Sequence, residues 1–105
     1  MNLKQTLCEQ FDSSSVLVDD AVSAHYESDW GDGETHRPEV VLRPATTENA
    51  AQMLKLCNDA GQSIVTQGGL TGLSGGATPQ PGEWSLSLER MNKVIEIDPD
   101  AMTLT

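Results

Sequence analysis

Apolar positions recur along this chain with two different periods. In "NLKQTLCEQF", residues 2 to 11, Leu3, Leu7 and Phe11 fall at helical spacing and predict a short amphipathic helix. "DSSS" ends it, and "VLVDDAVSAHY" suits either a strand fragment or a second short helix. "ESDWGDGETHRPE" is dense in turn formers and acids, which predicts an exposed loop with His25 and His36 near its ends. From Glu39 the pattern sharpens. "EVVLRP" is a β-branched and aliphatic run closed by Pro44, so a strand is expected over residues 39–43. "TTENAAQMLKLCNDAG" carries helix punctuation at both ends: Thr46 as cap, Glu48 in the first turn and Gly61 as a left-handed stop. The helix expected over 47–60 has Ala50, Met53, Leu54, Cys57 and Ala60 on its apolar face, with Leu56 on the flank.

"QSIVTQ" predicts a strand over 63–67, running straight into a glycine-rich stretch. Beyond it, "EWSLSLERM" alternates Trp84, Leu86 and Leu88 with polar neighbours, a strand over 84–88 with one apolar face. "KVIEID" predicts a further strand over 93–97, paired with the one before it. Asp98-Pro99-Asp100 makes a turn, and "AMTLT" begins a fifth strand. Strand, helix, strand implies a crossover and at least one parallel pair. The helix-free continuation makes the fold class α+β rather than doubly wound. The chain divides into a helix and acidic loop over residues 1–38, and a β-α-β unit with further strands over 39–105.

Composition narrows the partners. The formal charge is -10, with 16 acidic against 6 basic residues, so the basic footprint that nucleic acid requires is missing. At 37% hydrophobic residues, with one Phe and one Tyr, the core is aliphatic and thin. No apolar run reaches the length of a membrane span, and "MNLKQTLCEQ" lacks the basic-then-apolar build of a signal peptide, so a cytoplasmic protein is expected. Cys8 and Cys57 read as small hydrophobes in a reducing compartment. His25 and His36 have no second ligand at metal spacing, and no metal site is expected.

The candidate chemistry lies in "QGGLTGLSGGATPQPG", residues 67 to 82, which holds six of the nine glycines. Such a cluster means a backbone that bends tightly or approaches something closely. A Walker loop needs Lys then Ser or Thr after its last glycine, and here Ala77 and Thr78 follow Gly76. A dinucleotide fingerprint needs G-x-G-x-x-G opening a helix, whereas Pro79 and Pro81 follow within a few residues. A linker rarely carries residues such as Leu70, Leu73 and Ala77 between two strands. Two readings remain: a nest of bare N–H groups for an anion or dinucleotide, or a structural corner.

The stretch from "PEVVLRPATTENAAQMLKLCNDAG" through "QGGLTGLSGGATP" to "LSLERMNKV" resembles the start of the flavin domain of FAD-linked oxidases of the vanillyl-alcohol oxidase and p-cresol methylhydroxylase type. Within that family the likeness is greatest to D-2-hydroxy-acid dehydrogenases, including D-lactate dehydrogenases and the flavin subunit of glycolate oxidase. It covers about residues 25 to 105, "SDW" included. The resemblance implies a loop wrapped around the FAD pyrophosphate, with Gln67, Gly68, Gly69, Leu70, Thr71, Gly72 and Leu73 lining the phosphates. Gly75 and Gly76 would shape the return turn. Relatives often carry Asn or Gly where Leu70 stands. No histidine lies between His36 and the C-terminus, so FAD is expected to bind non-covalently. Met91 is expected to pack in the core, and Arg90 to be a solvated strand-end residue.

The activity implied is oxidation of a D-2-hydroxy acid to the 2-oxo acid, by hydride transfer to flavin N5. The resemblance places the catalytic base, the substrate clamp and any metal ligands outside these residues, so the piece alone is expected to be inactive. Self-association through an unpaired sheet edge is expected. A non-catalytic nucleotide- or anion-binding module is the alternative, and a ligand-free structural fragment is the third reading.

Overall fold

The structure, a computed structural model, describes residues 2–105. Helix α1 spans Leu3–Gln10 and opens with a reciprocal cap: Gln5 N–H donates to Asn2 Oδ1 at 2.8 Å, and Asn2 N–H to Gln5 Oε1 at 3.3 Å. Strand β1 follows at Val16–Val18, and two 3-10 turns at Asp19–Ala21 and Ala24–Tyr26 lead away from it. "VLVDDAVSAHY" is therefore a strand and then tight turns. Strand β2 is Val40–Leu42 and helix α2 is Thr47–Asp59, with Asn49 N–H donating to Thr46 Oγ1 at 3.1 Å. Gly61, at φ +71, ends α2 as its sequence position requires. Strands β3 (Ile64–Gln67) and β4 (Trp84–Ser87) complete a sheet in the order β1-β2-β4-β3.

Strand β4 lies between β2 and β3 and is parallel to both, while β1 is antiparallel to β2. The sheet alternates as the side-chain period demands. Val40, Leu42, Trp84 and Leu86 join Leu7, Val16, Met53 and Cys57 in one core under the two helices. Val41 points the other way, against Val22 and Tyr26. On that second face Ser85 and Ser87 are also buried, so the polar side of β4 is covered as fully as its apolar side. Leu54 and Ala60 of the expected helical face are exposed, because α2 packs on the core through Met53, Cys57 and the partly buried Leu56.

The expected pairing of residues 84–88 with 93–97 does not form. Both edges of β4 are already taken by β2 and β3, which leaves no ladder for a later strand. Instead Ile97–Asp98 (β5) pairs antiparallel with Thr103–Leu104 (β6) in a small separate hairpin. Asp98 Oδ1 shapes its turn by accepting from the N–H groups of Asp100 and Ala101, at 3.0 and 3.1 Å. Ile95, Ile97, Met102 and Leu104 of this hairpin are exposed. Met91, expected in the core, is exposed too, because the chain turns off the sheet after Leu88. Arg90 is the reverse correction. It is half-buried, and its Nη1 donates to Ser15 Oγ at 2.9 Å and Arg43 O at 3.1 Å, where the turn before β1 crosses the end of β4.

Candidate functional site

The three parallel strands end on one edge of the sheet, and the glycine loop leaves from that edge. Parallel neighbours need a long crossover connection, most often a helix. Between β3 and β4 the crossover is residues 68–83, with no helix in it. A helix consumes its own N–H groups internally, and this connection does not. Among the described residues, the backbone N–H groups of Gly68, Gly69, Leu70, Thr71, Gly72, Leu73 and Ser74 donate to no protein acceptor. Gly68, Gly69, Thr71 and Gly72 are exposed, and a Cβ added at Gly68 or Gly69 would meet nothing within 4 Å. Unpaired amides beside open space, at the carboxyl ends of parallel strands, are where an open α/β sheet takes an anionic ligand.

The sequence candidates divide by what their groups do. Gln67 is fully buried; its Nε2 donates to Tyr26 O and to Ala77 O, both at 3.0 Å, so its side chain ties the loop to the fold. Its Oε1 has no partner. Leu70 holds φ +60, is 7% exposed and leaves its N–H unpaired. Leu73 is exposed. Gly75, at φ +79, gives its N–H to Asp29 Oδ2 at 2.7 Å and accepts from Thr78 N–H at 3.2 Å, so it closes the return turn. Gly76 is exposed beside it.

Two features lie outside the sequence candidates. The first is Asp29, buried within the loop that was expected to be exposed; the rest of that loop, Trp30 included, is largely solvated. The signal was "SDW", whose Asp is one acid among several in the segment. A cavity of about 320 Å³ separates this segment from the glycine loop, lined among others by Asp29, His36, Ser74 and Thr78. The second is Glu89, just past β4. Tyr26 Oη donates to its Oε1 at 2.6 Å, Arg43 Nε lies 2.7 Å from the same oxygen, and His25 Nε2 lies 3.7 Å from Oε2. Burial first, and then the hydrogen bond and charge of Glu89, push the Tyr26 phenol up to about 12. Tyr26 thus braces β4 through its hydroxyl and the end of β3 through its carbonyl.

Such a site, on such a sheet, fits a nucleotide cofactor whose phosphates could meet backbone donors rather than basic side chains. The chain belongs to the FAD binding domain family, whose profile matches residues 38–105. It is 38% identical over 81 residues to a D-2-hydroxyglutarate dehydrogenase of Xanthomonas citri, covering 77% of this chain and 17% of that protein. It is 35% identical over 89 residues to a D-lactate dehydrogenase of Anaerostipes hadrus, covering 81% and 18%. The solved structure of p-cresol methylhydroxylase superposes with a TM-score of 0.76 at 28% identity, covering 93% of this chain and 20% of that one. The chain spans about a fifth of the curated relatives it matches, 19% of the first two and 17% of the next. Among the described residues no helix is long and apolar enough to cross a membrane.

The loop fits the cofactor on its own chemistry. Gly68 to Leu73 present consecutive unpaired donors with room for close approach, and the hydroxyls of Thr71 and Ser74 stand in the same exposed arc. These residues would hold the FAD pyrophosphate.

Proposed function

We propose that the protein carrying this chain is an FAD-dependent dehydrogenase of a D-2-hydroxy acid, with lactate or 2-hydroxyglutarate as the substrate type. The observation that carries the cofactor half is the arc of unpaired N–H groups at the carboxyl edge of β2, β4 and β3. The substrate half is supported by the named activities of the relatives. FAD, when bound, would supply the two-electron redox chemistry that oxidation of a 2-hydroxy acid to the 2-oxo acid requires.

The residues of this chain have a narrower task. Gly68, Gly69, Leu70, Thr71, Gly72 and Leu73 orient the pyrophosphate by hydrogen bonds that carry no covalent link to the flavin. Gln67 and Tyr26 hold the ends of β3 and β4 in register beneath them. The reading assigns no catalytic base to this chain.

The test is direct. The complete protein carrying residues 1–105 is purified, its flavin is released by acid, and dye reduction is measured with D-lactate and D-2-hydroxyglutarate. Acid-released FAD and reduction with a D- but not an L-hydroxy acid are expected. A protein that neither holds nor takes up FAD would sink the reading.

A further inference from the structure

The acidic segment meets the glycine loop through one buried side chain and the backbone around it. Asp29 is 9% exposed; its Oδ2 accepts from Gly75 N–H at 2.7 Å and its Oδ1 from Gly31 N–H at 2.8 Å. Its own N–H donates to Thr78 Oγ1 at 3.2 Å, and the neighbouring Trp30 N–H donates to Gly72 O at 2.9 Å. Both carboxylate oxygens are thus answered by backbone donors, the arrangement a buried carboxylate needs.

The clasp has a directional consequence. In a trans peptide the C=O and the following N–H point to opposite sides. Pinning the Gly72 carbonyl inward on Trp30 therefore turns the Leu73 N–H outward, toward the open side of the loop. Fixing Gly75 at φ +79 sets where the arc turns back. Gly31 lets the two segments close on each other, since a Cβ there would stand 2.8 Å from Leu73 O. We propose that Asp29 is the positioning residue of the pyrophosphate arc, holding the loop so that its N–H groups converge before the cofactor arrives. The proposal rests on the FAD reading above and adds to it a residue that makes no cofactor contact of its own.

Asp29→Asn is the informative change. An amide keeps one acceptor oxygen and sets an NH₂ donor against the other N–H, so one bond is lost and one donor faces a donor. In the complete protein we expect FAD Kd to rise about tenfold or more, equivalent to about 1.4 kcal/mol per tenfold. At saturating FAD the visible spectrum of the bound flavin should match wild type, because the altered bonds belong to the loop assigned to the pyrophosphate. The far-UV spectrum of the apoprotein serves as the folding control. If Asp29→Asn does not fold, Thr78→Val carries the test; it keeps the volume and removes the acceptor for Asp29 N–H, and about a threefold or greater rise in Kd is expected by the same arithmetic. A folded variant with wild-type FAD affinity overturns the proposal. So does weaker binding with a changed flavin spectrum, which would mean general loosening. Absence of FAD binding in the wild-type protein would instead overturn the flavin reading, and with it the role assigned to Asp29.

Discussion

Replacing Glu89 with Gln removes the carboxylate at the junction of Tyr26, Arg43 and His25. The new side chain keeps one oxygen for the Tyr26 hydroxyl, now 2.6 Å from Glu89 Oε1, but offers no charge to Arg43 Nε, 2.7 Å away. That Nε is buried with no other partner, so the loss falls on an uncompensated cation. Breaking a fully buried pair costs about 3–5 kcal/mol. Here the Arg43 and Glu89 side chains retain 25% and 29% of their surface, so solvent screens part of the pair. The expected loss is about 2 kcal/mol. Urea unfolding should show it as a midpoint lowered by about 1 M at unchanged slope. A second reading comes from the same variant. Tyr26 is the sole tyrosine of residues 1–105, so in that piece absorbance near 295 nm follows its ionisation alone. Gln keeps an acceptor for the Tyr26 hydroxyl but removes the charge that helps raise the phenol, and burial, the larger cause, keeps it above its ordinary value. The midpoint should move down from about 12 and stop short of 10. A stability loss below about 0.5 kcal/mol, the usual range of neutral surface changes, would refute the reasoning. An unmoved tyrosine midpoint would refute it equally.

In the wild-type protein the folded phenol titrates above its unfolded value, so its contribution to stability is complete below pH 10 and is lost as pH rises through about 12. Melting temperature followed across that window should fall more steeply for wild type than for Tyr26→Phe. Gly75→Ala should cost about 1–2 kcal/mol, because φ is +79 and only backbone strain is at stake in open space. Gly76→Ala, where φ is not positive and the space is also open, should be near neutral, and equal melting shifts at the two sites would contradict the assigned turn. Gly31→Ala should cost about 1–3 kcal/mol, since its Cβ would stand 2.8 Å from Leu73 O and 3.0 Å from Asp29 Oδ1. An unchanged melting curve would show that the acidic segment does not pack on the loop.

Local signals were legible wherever the responsible atoms lie close in sequence. Thr46 and Gly61 bound α2, and Val40, Leu42, Trp84 and Leu86 alternate as their strands require. The glycine loop was visible because its composition departs so far from a strand or a helix. What the sequence hid is long-range. Asp29 looks like Asp32 or Glu34 until a residue 46 positions away brings its N–H to it. Glu89 binds Tyr26 across 63 positions, and no local pattern encodes that. Residues 93–97 carry strand-forming side chains, yet β2 and β3 had already filled both edges of β4. Leu70 at φ +60 is the least legible. A left-handed leucine costs about 1–2 kcal/mol by local rules, and burying its side chain offsets about 1.5–3 kcal/mol, an exchange decided by packing alone.

With the loop holding the pyrophosphate as proposed, the helix-free crossover would also tie cofactor affinity to the cohesion of the sheet. Residues 68–83 are the covalent connection between β3 and β4, and Leu88 N–H on Gln67 O, at 2.9 Å, pins the two strands where that connection begins. A ligand held by residues 68–83 in this arrangement would then favour the paired strands, because separating β3 from β4 would move both ends of the loop. Linkage makes the effect reciprocal. Whatever slackens the β3–β4 pair would then weaken the proposed hold on the pyrophosphate, and a hundredfold excess of ligand over its dissociation constant would add about 2.7 kcal/mol to the native state. The strand pair that flanks the loop is in this way the one a bound cofactor would reinforce.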